Sequence, residues 1–215
     1  MSKPNFNEER KLWKKGVNFV VGIDEAGRGP LAGPVIACAI TIPEFPISNF
    51  QFPKNVKDSK KLSAKKREEI YKLLKKNPDV KWGIGRVSEK IIDKINILQA
   101  TKLAMRRAVK NLSKKGTGFL SAERNPVPFL LIDGNFGIDL DFPQKSIIKG
   151  DQKVFSCAAA SIIAKVSRDR MMIKYHDKYP EYGFNRHKGY GTKLHREAIK
   201  KYGFCDIHRK TFRVS

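Results

Sequence analysis

Asp24 and Glu25 stand together between an apolar run, Val17 to Ile23, and a glycine-rich segment in which Gly27, Gly29 and Gly33 surround Arg28. Glycines let a main chain turn sharply and come close to a ligand, and Arg28 offers a planar set of donors suited to phosphate. Carboxylate and phosphate repel each other. Placing both functions within five residues makes sense if a divalent cation lies between them, as in metal-assisted phosphodiester hydrolysis. Asp-Glu pairs after strands also serve as caps or as solvated surface, so the dipeptide alone carries little weight. The whole string Gly22 to Pro34 is far more specific.

Further carboxylates come after apolar segments. Asp133 stands directly after Phe129 to Ile132, a continuous apolar run typical of a strand buried on both faces. Ligand sites of open α/β sheets lie beyond strand ends, so Asp133 can share a cleft with Asp24 if their strands are parallel neighbours. Asp169 lies three residues after Val166 and seven after Ile162, near the inward stripe of a helix, where an unpaired carboxylate is costly. A salt bridge to Lys165 or Arg168 is the plain structural explanation for it. Asp151, after Gly150, is the competing candidate and ranks second.

These residues need elements to position them. Val17–Ile23 reads as a buried strand and Val35–Ile42 as a second, joined only by the glycine turn and so expected to pair antiparallel. Residues 43–57, with Pro43, Pro46 and Pro53, read as a surface loop. Ser63 suits the N-cap of a helix from Ala64 to about Lys76 with Ile70, Leu73 and Leu74 inward. Val80 to Val87 alternates as a third strand. Ser88 can cap a short turn and Asn96 a longer helix, with Leu98, Met105, Ala108, Val109 and Leu112 on one face. Ser146 to Ile148 suits a short fifth strand. From about Phe155, Ala158, Ala159, Ile162, Ile163, Val166 and Ile173 mark a strongly buried helix. Beyond Pro180 the chain becomes aromatic and basic, broken by Gly183, Gly189 and Gly191, before a helix from about Lys193 to Tyr202. Aromatic rings among cations suit stacking on sugars or bases, and Tyr190, between two glycines, is the most exposed candidate. The competing reading is a hydrophobic plug for its loop.

A chain of 215 residues with 40% hydrophobic content can bury one core, giving a single domain over 1–215 with an N-terminal extension of about 16 residues and a C-terminal subregion over about 180–215. Its formal charge of +23 is strongly self-repelling unless a polyanion is the partner, and nucleic acid is the obvious one. Cys38, Cys157 and Cys205 are odd in number and far apart, which fits a reducing, cytoplasmic compartment. No apolar run approaches membrane-spanning length.

The string Gly22 to Pro34 closely resembles the signature that opens the ribonuclease HII family. The resemblance takes in Asp58-Ser-Lys-Lys-Leu-Ser63, Ile132-Asp-Gly-Asn135, Lys149-Gly-Asp151, Ala159-Ala-Ser-Ile-Ile-Ala-Lys-Val166, Arg168-Asp169 and His187-Lys-Gly-Tyr-Gly-Thr192, and so runs from Val17 to Phe212. It implies a ribonuclease H-like α/β fold, with a central mixed β-sheet flanked by helices and a small helical C-terminal subregion. It also implies a metal-dependent endonuclease that hydrolyses the RNA strand of RNA–DNA hybrids and cuts 5′ of single ribonucleotides in duplex DNA. The products would be 3′-hydroxyl and 5′-phosphate ends, with roles in ribonucleotide excision repair and RNA primer removal. By this resemblance Asp24, Glu25, Asp133 and Asp169 hold two Mg²⁺ or Mn²⁺ ions, Asp169 being preferred to Asp151 as the family's fourth acidic position. Gly27, Arg28 and Gly29 would read the ribose 2′-hydroxyl, Tyr190 would pack on the neighbouring sugar, and Lys60 and Lys61 would contact phosphates. The expected state is a monomer. Two alternatives are weaker: ribonuclease HIII, which carries an additional N-terminal binding domain, and a catalytically dead nucleic-acid-binding protein on the same fold. Only about sixteen residues precede the first strand, and all four acidic positions are filled.

Overall fold

The computed structural model of the chain describes residues 4–42, 62–114 and 127–214. Its centre is β1 (Phe19–Ala26), which pairs antiparallel with β2 (Val35–Thr41) on one side and parallel with β4 (Pro128–Asp133) on the other. Adding β3 (Lys81–Val87) and β5 (Gln144–Ile147) gives a five-stranded mixed sheet in the order β3-β2-β1-β4-β5. The hairpin ladder runs beyond Ile23, pairing Asp24 with Cys38, Glu25 with Ala37 and Ala26 with Ile36. The two carboxylates are therefore held inside the strand's last turns of pleat, not in the loop after it.

Successive strand residues point to opposite faces, and both faces are covered. Val21, Ile23, Val35, Ala37, Ala39, Leu130 and Ile132 pack against α3 (Glu89–Leu112), while Cys38 and Ile40 pack against α5 (Phe155–Lys178) and the inward side of α2 (Ala64–Lys76). Gly83 and Gly85 let α3 lie directly on β3, since a Cβ at either would fall 2.2 Å or less from an α3 carbonyl oxygen. Asn96 breaks α3 with φ 62°, and its Oδ1 accepts from Leu98 N and Gln99 N, so it caps the helix's second segment as expected. On the other face, α1 (Asn7–Trp13) supplies Glu9, whose Oε1 accepts from Ser156 N at 2.8 Å. This is a cap lent to the start of α5 from a remote element, because Val154 has no side-chain acceptor to give.

Three apolar residues expected in the core are exposed: Leu73, Leu98 and Ile173. On α2 the stripe through Ile70 and Leu74 is spaced i, i+4, which leaves Leu73 to one side. Leu98 falls in the first turn after the Asn96 break. Ile173 yields to Met172, which turns into a separate cluster with Ala32, Tyr182, Phe184, Ala198 and Ile207 where α5 leaves the sheet. That cluster joins a 3-10 turn (Pro180–Tyr182), α6 (Phe184–His187) and α7 (Lys193–Tyr202) into the C-terminal subregion. Among the described residues no helix is long and apolar enough to cross a membrane.

Candidate active site

Parallel pairing sets Ile23 beside Ile132, so Asp24 and Asp133 emerge at the same end of neighbouring strands. That is the relation a shared cleft requires. β5 lies parallel to β4 with Ile147 opposite Asp133, after which Lys149 adopts a left-handed conformation, φ 59°. The reversal delivers Gly150 N to Asp133 Oδ1 at 2.7 Å. This bond fixes the first residue of α4 (Gly150–Lys153) against the strand end and draws in Asp151. Asp24, Asp133 and Asp151 each present a carboxylate oxygen within 4.8 Å of the others.

Asp24 is 4% exposed and Asp151 2%. Burial first, then the charges of Glu25 and Asp133, push the Asp24 carboxyl well above the usual carboxylate range, although a Ser161 hydroxyl and the Glu25 N–H both donate to it. Like charges crowded together with two of them buried are poor as an isolated assembly and good as a cation site. All its donors are hard oxygens, which fits Mg²⁺ or Mn²⁺ and not softer metals.

A cleft of about 440 Å³ opens at this strand end. It brings together Asp24, Glu25, Gly27, Arg28, Gly29, Asp133 and Tyr190 from the expected set. Arg28 Nη1 lies 3.6 Å from Glu25 Oε1, and its guanidinium sits over the Phe136 ring. Tyr190 is 42% exposed, so it is not a plug; Lys165 Nζ lies 5.6 Å from its ring centre. Asp169 is not brought into the carboxylate group. It lines an adjoining hollow and forms a salt bridge with Lys165 at 2.7 Å, the plain structural explanation considered for it. The reason is helix geometry: Ser161 faces Asp24, and Asp169 lies eight residues on, about 12 Å further along α5. Lys60 and Lys61 lie outside the described residues.

Four residues that the sequence reading did not assign to the site also shape it. Ser161 and Lys165 line the cleft and stand as polar residues in the otherwise apolar stretch 158–166 of α5, with Asp169 continuing the same face at i+8, a signal open to inspection. Arg168 and Arg209 lie buried behind the glycine turn and give no comparable signal.

Comparisons with known proteins agree with this geometry. Residues 21–215 match the family model of ribonuclease HII. The ribonuclease HII of Syntrophus aciditrophicus is 48% identical over 206 residues, covering 96% of this chain and 89% of that protein. The ribonuclease HII of Bacillus cereus is 50% identical over 215 residues, covering 98% of this chain and 76% of that one. The crystal structure of ribonuclease H2 from Pyrococcus horikoshii aligns with a TM-score of 0.66 at 28% identity, covering 91% of this chain and 94% of that chain. An acidic cleft at parallel strand ends and a family match through nearly the whole length lead to one conclusion: the chain belongs to the ribonuclease HII family, metal-dependent ribonucleases H that hydrolyse the RNA strand of RNA–DNA hybrids.

Proposed function

We propose that this enzyme also cuts duplex DNA on the 5′ side of a single embedded ribonucleotide, with Asp24, Glu25, Asp133 and Asp151 as ligands of two Mg²⁺ or Mn²⁺ ions. The observation that carries this reading is the acidic trio within 4.8 Å, two of whose members, Asp24 and Asp133, line one cleft with Glu25, a glycine turn and an exposed tyrosine. Bound there, such ions supply an activated water and countercharge for the leaving 3′ oxygen. The chain's own groups do the rest. Asp133 accepts the Gly150 N–H, which ties the start of α4 to the strand end and keeps Asp151 beside Asp24 and Asp133. Arg28, at the rim beside Glu25, meets a phosphate on the scissile strand. The main chain of Gly27, Arg28 and Gly29 reads the 2′-hydroxyl, and the Tyr190 ring packs on the deoxyribose next to it. Asp169 takes a supporting role, holding Lys165 at the cleft wall. Lys60 and Lys61 are retained as phosphate contacts on the resemblance alone. The charge of +23 supports a polyanionic substrate; the single monomeric domain and the roles in ribonucleotide excision repair and primer removal are carried over from the family resemblance.

The test is a labelled DNA duplex with one ribonucleotide, incubated with Mg²⁺, with Mn²⁺ or with chelator. The expected result is one cut 5′ of the ribonucleotide, a 3′-hydroxyl on the upstream product, and no cleavage in chelator. A cut on the 3′ side, or cleavage of long hybrids only, would refute the proposal.

A further inference from the structure

We propose that Arg209 is a positioning residue that aims the amides of the Gly27-Arg28-Gly29 turn, so that discrimination of ribose from deoxyribose depends on the C-terminal segment. The inference rests on the reading that this turn faces the ribose.

Arg209 is 1% exposed, and among the described residues all of its guanidinium hydrogen bonds go to main-chain carbonyls of one short segment. Nη2 donates to Gly27 O at 2.6 Å and to Gly33 O at 2.7 Å, Nη1 to Arg28 O at 2.9 Å, and Nε to Gly33 O at 2.9 Å. Burying a guanidinium with no carboxylate in its hydrogen-bonding shell is costly, and stability alone is served as well by an apolar side chain. The arrangement makes sense if the direction of those carbonyls matters. In a trans peptide the C=O of one residue and the N–H of the next point in opposite directions. Drawing the Gly27 and Arg28 carbonyls inward to Arg209 therefore turns the Arg28 and Gly29 amides away from it, on a turn whose residues line the cleft.

The brace is itself well anchored. Arg209 N donates to Leu31 O and Gly33 N to Ile207 O, each at 2.8 Å, around an antiparallel bridge between Ala32 and His208. Just beyond, the Asp93 carboxylate accepts from Lys210 N, Thr211 N and the Thr211 hydroxyl. Arg168, also fully buried, works from the other side: it donates to Pro34 O and Ala32 O at 3.0 Å and to Lys188 O at 2.9 Å, tying the same turn to the segment that carries Tyr190. Burial lowers the pKa of Arg209 to about 9 and that of Arg168 to about 10, so both remain charged at neutral pH.

The experiment compares the wild type with Arg209→Met, which keeps side-chain length without donors, and Arg209→Lys, which keeps the charge but not the fork. Fluorescence anisotropy, with Ca²⁺ in place of Mg²⁺, gives Kd for a duplex with one ribonucleotide and for the same duplex in all-DNA form; thermal melts are recorded alongside. The quantity read is the ratio of the two Kd values, which a lower folded fraction does not change. Arg209→Met is expected to lose about tenfold in that ratio, the scale of one forfeited hydrogen bond to ribose, with all-DNA affinity held within about threefold. Arg209→Lys is expected to fall between, and carries the test if Arg209→Met does not fold. An unchanged ratio in a variant with a lowered melting temperature would overturn the inference and leave the turn's role intact. A wild type with no preference between the duplexes would instead remove the reading beneath it.

Discussion

Gly29→Ala and Gly27→Ala, two substitutions two residues apart, are expected to fail for opposite reasons. Gly27 has φ +99°, and a Cβ there would lie 2.2 Å from Arg168 Nε and 2.8 Å from Pro34 O. A left-handed L-residue costs about 1–2 kcal/mol. Overpacking against the buried arginine adds about 1–3 kcal/mol. Together these lower the melting temperature by about 4–20 °C in a chain of this length. At Gly29 the φ imposes no such strain, and among the described residues an added Cβ meets only Tyr190 Cε1, at an ordinary contact distance of 3.9 Å. Its stability should stay within about 0.5 kcal/mol of the parent. Yet that methyl projects into the space between turn and tyrosine where the ribonucleotide must lie, and a displacement of about 1 Å there costs about a hundredfold in rate. Differential scanning calorimetry and single-turnover cleavage of a one-ribonucleotide duplex measure the two effects separately. A Gly29→Ala protein that melts as early as Gly27→Ala, or that cleaves at the parental rate, would refute the reasoning.

The subregion beside the cleft carries two further expected outcomes. His195 Nδ1 lies 3.0 Å from Tyr190 O, which can only accept; His195 Nε2 must then accept from His208 Nε2–H at 3.0 Å, leaving His208 Nδ1 to accept from Cys205 N at 2.9 Å. Burial lowers the pKa of both rings to about 4. Because these values lie below the unfolded value, their contribution to stability is complete above about pH 6.5 and is lost as pH falls towards 4, by up to about 2 kcal/mol per ring at pH 5. Ring-nitrogen NMR should find His195 as the Nδ1–H tautomer and His208 as the Nε2–H tautomer, both neutral at pH 5; a midpoint near 6.5 for either would contradict the network. Tyr190→Ala should slow single-ribonucleotide cleavage by about one to two orders of magnitude, since stacking of this kind is worth about 1–3 kcal/mol. Tyr190→Phe should lose much less, and the alanine variant should be less impaired on a continuous hybrid; equal losses on both substrates would give Tyr190 only a general role.

Asp24 and Asp133 were legible as partners in the sequence because strand period and strand end are local properties, and parallel pairing of two apolar runs brings the carboxylates at their ends side by side. Asp151 and Asp169 could not be ranked that way. Asp151 reaches the trio through a left-handed Lys149 and a bond from Gly150 N to Asp133, whereas Asp169 is carried past it by the straight run of α5. Neither fact is written in residue spacing alone. Arg209 is less legible still: its role comes from a tertiary bridge between residues 176 apart in the chain, Ala32 and His208. The exposure of Leu73 and Ile173 shows the same limit on a smaller scale, since apolar type marks a helix but its neighbours decide which side is buried.

The most direct measurement is single-turnover cleavage of the one-ribonucleotide duplex in saturating Mg²⁺ by Asp151→Asn and by Asp169→Asn, with duplex affinity determined for each. If the trio at the strand ends is the hydrolytic centre, Asp151→Asn loses at least about a hundredfold in rate, as removal of a metal ligand should. Asp169→Asn, which frees Lys165 but leaves the trio whole, stays within about tenfold of the parent, and both variants bind duplex within about threefold. A severe loss in Asp169→Asn with substantial activity kept in Asp151→Asn would contradict the assignment.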